Sequence, residues 1–182
     1  MKRIIKSMEN KYLIPALNLI EEVFTKHDSE KEGKMVRGLV EEIRSKKYYL
    51  PELELITTDE NDNIIGYAMF SRFHIEGKYE NELLILTPVA VKTELQRQHI
   101  SKELIECGFE VARQMGFKAV LVEGDPKNYN PREFVTSKDY GIIAGENIHL
   151  PHESCLMIKE LVDGSLENIS GVVDYSFYTS LT

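Results

Sequence analysis

The chain has only two cysteines among its 182 residues, Cys107 and Cys155, and they form no CxxC pair. That scarcity argues against a disulfide framework and against a zinc site, and it fits a reducing, cytoplasmic setting. Basic residues are also in short supply: 22 Lys and Arg stand against 30 Asp and Glu, a formal net charge of −8. Nucleic-acid binding without a basic face has no counterions to displace, so that class of partner is not expected. No apolar run approaches the length that spans a bilayer, so no membrane partner is expected either. The opening Met1-Lys2-Arg3-Ile4-Ile5-Lys6 returns to charge after two apolar residues, which is not the pattern of a secretory signal. Repeats and low-complexity tracts are missing. His27, His74, His149 and His152 show no metal-ligand spacing beyond the weak His149-x-x-His152 pair beside Pro151. No metal is expected.

What is present is an ordinary globular mixture, 42% hydrophobic and 29% charged. A chain of this length buries about 70% of its unfolded surface without staples. We expect one domain over residues 1–182, with a core at about 3–161 and a C-terminal tail at 162–182.

A short strand is expected over Arg3–Lys6. Leu13, Ala16, Leu17, Ile20, Val23 and Phe24 make a helical stripe, and Met35, Val36, Leu39, Val40 and Ile43 predict a second helix over Lys34–Ser45. The polar stretch His27–Gly33 between them reads as a loop. Leu53–Thr57 and Ile64–Phe70, joined by the Asp59–Asn63 turn, read as an antiparallel hairpin. Leu83–Val91 is nearly continuous in apolar residues, a strand covered on both faces, interrupted at Pro88. Proline cannot donate to a ladder, so a bulge or the end of pairing is expected there. A helical stripe follows, from Ile100 through Leu104, Cys107, Gly108, Val111 and Ala112 to Met115, with Gly116 as its C-cap. Lys118–Glu123 is a strand, so this strand–helix–strand unit pairs in parallel with a right-handed crossover. Asn128–Thr136 reads as a short helix, Glu153–Leu161 as a last strand, and the tail carries little pattern. Cys107 on the helical stripe and Cys155 on the last strand read as inert packing. The fold class is α+β, an α/β sandwich whose mixed, mostly antiparallel sheet contains one βαβ crossover.

The turn at Lys92–His99 feeds the amphipathic helix directly. The first N–H groups of a helix have no intrahelical partner and the macrodipole is positive there, so this turn reads either as an ordinary strand-to-helix loop or as an anion site, with Arg97 and Lys102 adding local positive charge. A pyrophosphate would suit it.

The stretch Leu86-Thr87-Pro88-Val89-Ala90-Val91, followed by Leu95-Gln96-Arg97-Gln98-His99-Ile100-Ser101-Lys102-Glu103-Leu104, resembles the acyl-CoA motif of the GNAT superfamily N-acetyltransferases. Met115–Val120, then Gly124-Asp125-Pro126-Lys127-Asn128-Tyr129, is similar to the family's next strand and the turn after it. The C-terminal residues Leu156–Val173 resemble a compact bacterial subgroup of predicted acetyltransferases. The resemblance covers most of residues 3–173 and is strongest over 84–134. It implies a GNAT-like acyl-CoA acyltransferase fold, acetyl-CoA as cosubstrate and an amine acceptor on a small molecule or peptide. It also implies a strand that bulges at Pro88 and parts from its parallel neighbour. The main chain of Val89 and Val91 would then hold the pantetheine arm, and Gln96, Arg97, Gln98, His99, Ile100, Ser101 and Lys102 the pyrophosphate. Asn128 joins the cofactor set, and Tyr129 stands where many members place the acid that assists the departing thiolate. Glu82 and Glu123 lie at strand ends where a base is possible, but an exposed carboxylate is the commoner fate of either, and neither is assigned a catalytic role.

The chain departs from the family signature at two points, with His99 at a glycine position and Ser101 at a glycine or alanine position. Three readings follow, in falling order: an N-acetyltransferase that works by direct amine attack, an acyl-CoA-binding sensor or interaction module that has lost turnover, and a small α+β protein that binds no nucleotide. The protein is expected as a monomer or homodimer.

Overall fold

The computed structural model describes residues 2–179 and forms two compact units. One holds the chain up to Ser71, Thr87–Val111 and the end from Tyr178; the other holds Arg72–Leu86 and Ala112–Phe177.

The first unit contains β1 (Ile4–Ser7), α1 (Leu13–His27), α2 (Glu30–Arg44), β2 (Glu54–Thr58), the first part of β3 (Ile64–Ile75), the last part of β4 (Lys78–Val91) and most of α3 (Ile100–Gln114). Its strands lie in the order β1-β2-β3-β4. The expected hairpin is there: β2 and β3 pair antiparallel from Glu54–Met69 to Thr57–Gly66, with a register shift before Thr58. Helix α2 starts earlier than its apolar stripe. Ser29 Oγ accepts from the Glu32 amide and caps it, so Glu30–Gly33 is helix rather than loop. Gly33 explains why this polar start still packs: a Cβ there would lie 2.1 Å from Thr25 Oγ1 of α1. Glu54 is fully buried and holds α2 to the sheet, accepting from Arg44 Nε (2.9 Å), Arg44 Nη2 (2.6 Å), Tyr67 Oη (2.6 Å) and Tyr49 Oη (2.5 Å). Four donors on one carboxylate satisfy it, as a buried charge requires.

Two glycines set the approach of α3 to β3. A Cβ on Gly66 would come within 2.6 Å of Ile100 Cγ2, and one on Gly108 within 2.1 Å of Phe70 Cε2. Ile100, Leu104, Ile105, Phe109 and Ala112 are buried, the expected stripe. Gly116, at φ +88°, ends the helix in the left-handed region.

The second unit contains the remainders of β3 and β4 with β5 (Ala119–Glu123), α4 (Pro126–Tyr129), β6 (Val135–Thr136), β7 (Ile142–Ala144), β8 (Leu156–Glu160) and β9 (Gly171–Val173). The order is β3-β4-β5-β8-β6, with β7 and β9 in a separate parallel pair. β4 and β5 pair in parallel over Leu83–Ile85 and Ala119–Leu121, which is the predicted crossover; β5 and β8 pair antiparallel. The parallel pairing runs only to Ile85, short of Pro88, and the Thr87–Pro88 peptide is cis.

Two expectations change here. The helix read over Asn128–Thr136 ends at Tyr129, passes through a 3₁₀ turn at Asn130–Arg132 and gives way to β6. Glu133 at φ +64° breaks the helical path. The tail also has more structure than its sequence pattern implies: Gly171–Val173 is a strand, and Leu166, Ile169 and Val173 are buried in this unit's core. Among the described residues no helix is long and apolar enough to cross a membrane.

Gly108→Ala puts two rules in opposition. Helix propensity alone favours alanine by about 1 kcal/mol, whereas overpacking against the buried Phe70 ring costs about 1–3 kcal/mol. With the contact at 2.1 Å the ring must move, so we expect net destabilisation in urea unfolding; a more stable variant would contradict this packing.

Candidate active site

In the first unit, β4 ends at Val91 and a 3₁₀ turn over Thr93–Leu95 leads to Gln96. The Lys92 amide donates to the Ile65 carbonyl of β3 (3.0 Å), and Gln96 Nε2 reaches back to the Val91 carbonyl (3.3 Å). The turn is therefore tied to the sheet at both ends. Val89 is half-buried and Val91 buried, so their side chains are core while their backbone belongs to the last turn-ward stretch of β4. Gln96, Arg97, Gln98 and His99 are exposed.

The backbone of this turn is unusual. Arg97 (φ +63°) and His99 (φ +65°) both occupy the left-handed region that favours glycine. Gln96 before them is extended (φ −63°, ψ 157°), so the chain reverses sharply at these two residues. His99 also opens α3, because its carbonyl accepts from the Glu103 amide (3.0 Å). Ile100 is buried against Gly66; Ser101 is half-buried and Lys102 exposed in the first helical turn. Residues 96–102 are thus brought together as one loop and helix start. Lys102 is within 3.8 Å of Glu106, a surface pair of little consequence.

The second unit holds the other two expected residues. Tyr129 ends α4, its ring edge-on to Phe134 at 5.6 Å between centroids. It also lies over Gly124, where a Cβ would come within 2.6 Å of Tyr129 Cε2. Burial pushes the Tyr129 phenol above its ordinary value of 10, opposed by the Arg132 guanidinium, so the hydroxyl keeps its proton at neutral pH. Asn128 is exposed, and its carbonyl accepts from Arg132 Nη1. Of the two carboxylates considered as bases, Glu82 accepts from Lys118 Nζ (3.0 Å) and Glu123 from Tyr175 Oη (2.9 Å). Tyr175 lies in the tail, where periodicity gave no signal; only its aromatic character marked it. Gly66 and Phe134 were likewise unmarked in the sequence, since each acts through a close approach that spacing does not encode.

Elsewhere, His152 Nδ1 accepts from the Ser154 amide (3.2 Å) and caps a 3₁₀ turn. Among the described residues, no three His, Cys, Asp or Glu side chains are grouped to hold a metal. Burial pushes the Cys107 thiol up, which leaves it unreactive.

The sequence profile of the Acetyltransferase (GNAT) family matches residues 17–137. The chain belongs to the GNAT family. Family membership carries the reaction class, acetyl transfer. Among GNAT relatives, the uncharacterized N-acetyltransferase YjhQ of Escherichia coli K12 is 31% identical over 133 residues, 72% of this chain and 71% of its own. The uncharacterized N-acetyltransferase YhbS of the same organism is 26% identical over 149 residues, 81% and 83% of the two chains. A crystal structure of E. coli YhbS in complex with CoA superposes with a TM-score of 0.84 at 23% identity, covering 98% of this chain and 92% of that one. A GNAT acetyltransferase from Brucella melitensis in complex with acetyl-CoA gives a TM-score of 0.62 at 25% identity, over 73% and 82%.

The GNAT signature places a glycine where this chain has His99, and the structure holds His99 in the backbone region a glycine would take. The substitution therefore changes the side chain and leaves the path of the loop. Ser101 is half-buried in the first turn of α3. A left-handed residue other than glycine is disfavoured by about 1–2 kcal/mol, with histidine among the more tolerant types. His99→Gly is expected to stay within about 1 kcal/mol of wild type, strain relief offsetting the added freedom of the unfolded chain. His99→Val, β-branched, is expected to lose about 1–2 kcal/mol. Denaturant unfolding of the two variants checks this; equal stability of the two would contradict a left-handed residue at 99.

Proposed function

We propose that the protein is an N-acetyltransferase that moves the acetyl group of acetyl-CoA to a primary amine of a small molecule or peptide. The observation that carries the reading is the pair of left-handed residues, Arg97 and His99, framing the first turn of α3. The residues present fit the pyrophosphate of coenzyme A. Backbone N–H groups of Gln98 to Lys102 supply donors, the helix start supplies positive potential, and Arg97 and Lys102 supply charge on an otherwise acidic chain. Gln96 acts mainly by bracing the loop through Val91. The main chain of Val89 and Val91 takes the pantetheine arm, and Asn128 contributes to the same ligand. The scattered cysteines support a reducing, cytoplasmic setting.

The chemistry is direct attack. The amine nitrogen forms a bond to the acetyl carbon, the C–S bond breaks, and its electron pair leaves on sulfur. Tyr129 gives that sulfur a hydrogen bond or its proton, and the amine's surplus proton passes to water or a base. A phenol raised by burial remains protonated throughout the neutral range, so this donor loses its proton only above pH 10. No acyl-enzyme is invoked.

Acetyl-CoA or CoA at about 100 times Kd is expected to stabilise the native state by about 2.7 kcal/mol, while ATP and NAD leave it unchanged. Thermal unfolding with each ligand checks this, and no shift with millimolar CoA would contradict the reading. Tyr129→Phe should keep acetyl-CoA binding and lower kcat by about 10²-fold or more, the range general acid catalysis supplies. Thiol release with a panel of polyamines, aminoglycosides and peptides is the assay. Equal rates for wild type and variant would remove Tyr129 from the mechanism. Binding without release for every amine would favour the sensor.

A further inference from the structure

The second unit holds a cavity of about 270 Å³, lined by Ile142, Ala144, Leu150 and Leu156. Ser137, Lys138 and Glu153 also reach its wall. Their polar groups are already engaged: Ser137 Oγ donates to the Ile142 carbonyl (2.8 Å), and Lys138 Nζ pairs with Glu153 at 2.6 Å. An occupant therefore gains little from hydrogen bonds there and most from burying apolar surface. The space equals what about nine water molecules occupy in the liquid, and lies below the range of about 300–1,000 Å³ typical of drug-sized ligands. A compact hydrocarbon group suits it. An extended or sugar-like molecule does not.

The register of β5 and β8 sets a charge beside this cavity. Glu123 is the Cα partner of Leu156 in the antiparallel pair. Directly opposed residues share one face of a sheet, with Cβ atoms about 4.5–5.5 Å apart, so the Glu123 side chain starts next to a wall of the cavity. Leu121 and Ala119, earlier on β5, belong to the core on that same face, as strand alternation requires. The tail arrives from this side: Tyr175 packs against the same core, and its hydroxyl donates to Glu123 Oε2 at 2.9 Å. Glu123 is exposed, and among the described residues no cation pairs with it. A carboxylate held by one neutral donor keeps its other lone pairs and its charge for a cation. The next residue, Gly124, lies under the Tyr129 ring. The end of β5 thus carries this carboxylate one residue from the glycine that seats the phenol.

Resting on the acetyltransferase reading, we propose that this is the acceptor subsite: Glu123, steadied by Tyr175, binds the ammonium group of the substrate, and the cavity takes the compact aliphatic group that carries it. The acceptor class is then a primary amine on a short branched or cyclic hydrocarbon, not a polyamine or an aminoglycoside. Glu123 binds and Tyr175 positions it. Neither adds a step to the transfer, and the proton that the ammonium sheds before attack goes to water.

Thiol release from acetyl-CoA with isopentylamine, methylamine, spermidine and an aminoglycoside tests the assignment. Isopentylamine should have the highest kcat/KM, exceeding methylamine by about 100-fold, the worth of four more buried carbons. Glu123→Gln should raise KM for isopentylamine by about tenfold or more, the loss of a hydrogen bond to a charged group, while KM for acetyl-CoA stays unchanged. Tyr175→Phe should raise the same KM by less and leave kcat nearly unchanged, a split that a general loss of structure does not produce. Ala144→Leu, which fills the cavity, should lower kcat/KM for isopentylamine and spare methylamine. Thermal unfolding confirms that each variant folds, and the amine series on wild type decides the cavity if Ala144→Leu is not tolerated. Faster turnover of spermidine or the aminoglycoside, equal kcat/KM for isopentylamine and methylamine, or an unchanged KM in Glu123→Gln would overturn the proposal and leave the acetyltransferase reading intact. Release with no amine at all would remove that reading and this proposal with it.

Discussion

Ile100 and Gly66 meet with no room for a side-chain carbon between them, and that contact fixes where α3 begins. An anion site made of backbone N–H groups works only if those groups are held in place, because each is a weak dipole whose effect falls off within one helical turn. The sheet provides the anchor. Lys92 is bonded to Ile65 on β3, Gln96 to Val91 on β4, and Ile100 is buried against β3 itself. Between these fixed points the chain has few residues in which to reverse direction, and it does so through left-handed backbone at Arg97 and His99. The local strain is the result of over-determined ends, and it falls in the loop proposed to hold the coenzyme.

This arrangement explains how an acidic protein can bind a strongly anionic cosubstrate. Net charge governs long-range attraction and solubility, not a local site. The proposed cradle is built from groups that composition does not count: amide N–H donors and a helix dipole, with only Arg97 and Lys102 nearby. In the proposed site, binding would rest on geometry more than on coulombic attraction, which makes the loop's backbone conformation more consequential than any one of its side chains.

The sequence carried much of this. Period and punctuation marked the β2–β3 hairpin, the stripe of α3 with Gly116 behind it, and the β4–α3–β5 crossover, because each depends on local spacing of apolar residues. The motif at Gln96–Lys102 was legible because a turn feeding a helix is a local signal. Less visible were features that depend on close approach between distant residues. Gly33 against Thr25 extends α2 upstream of its apolar stripe, and Gly124 under the Tyr129 ring fits an aromatic into a tight turn. The short helix expected at Asn128–Thr136 failed because Glu133 adopts a left-handed conformation, which a glutamate does not advertise. The tail was under-read for a similar reason: Leu166, Ile169 and Val173 are spaced irregularly, yet the core of the second unit takes all three. His99 reads as a defect in the sequence and as a glycine-like position in the structure.

The central claim is that the loop before α3 binds the coenzyme through its backbone. Amide chemical-shift mapping of ¹⁵N-labelled protein during a CoA titration tests it most directly. The account predicts that the largest shifts fall on the amides of Gln98, His99, Ile100, Ser101 and Lys102, and that pantetheine, which lacks the pyrophosphate, leaves them nearly unmoved. Saturable CoA binding with those five amides undisturbed would contradict it.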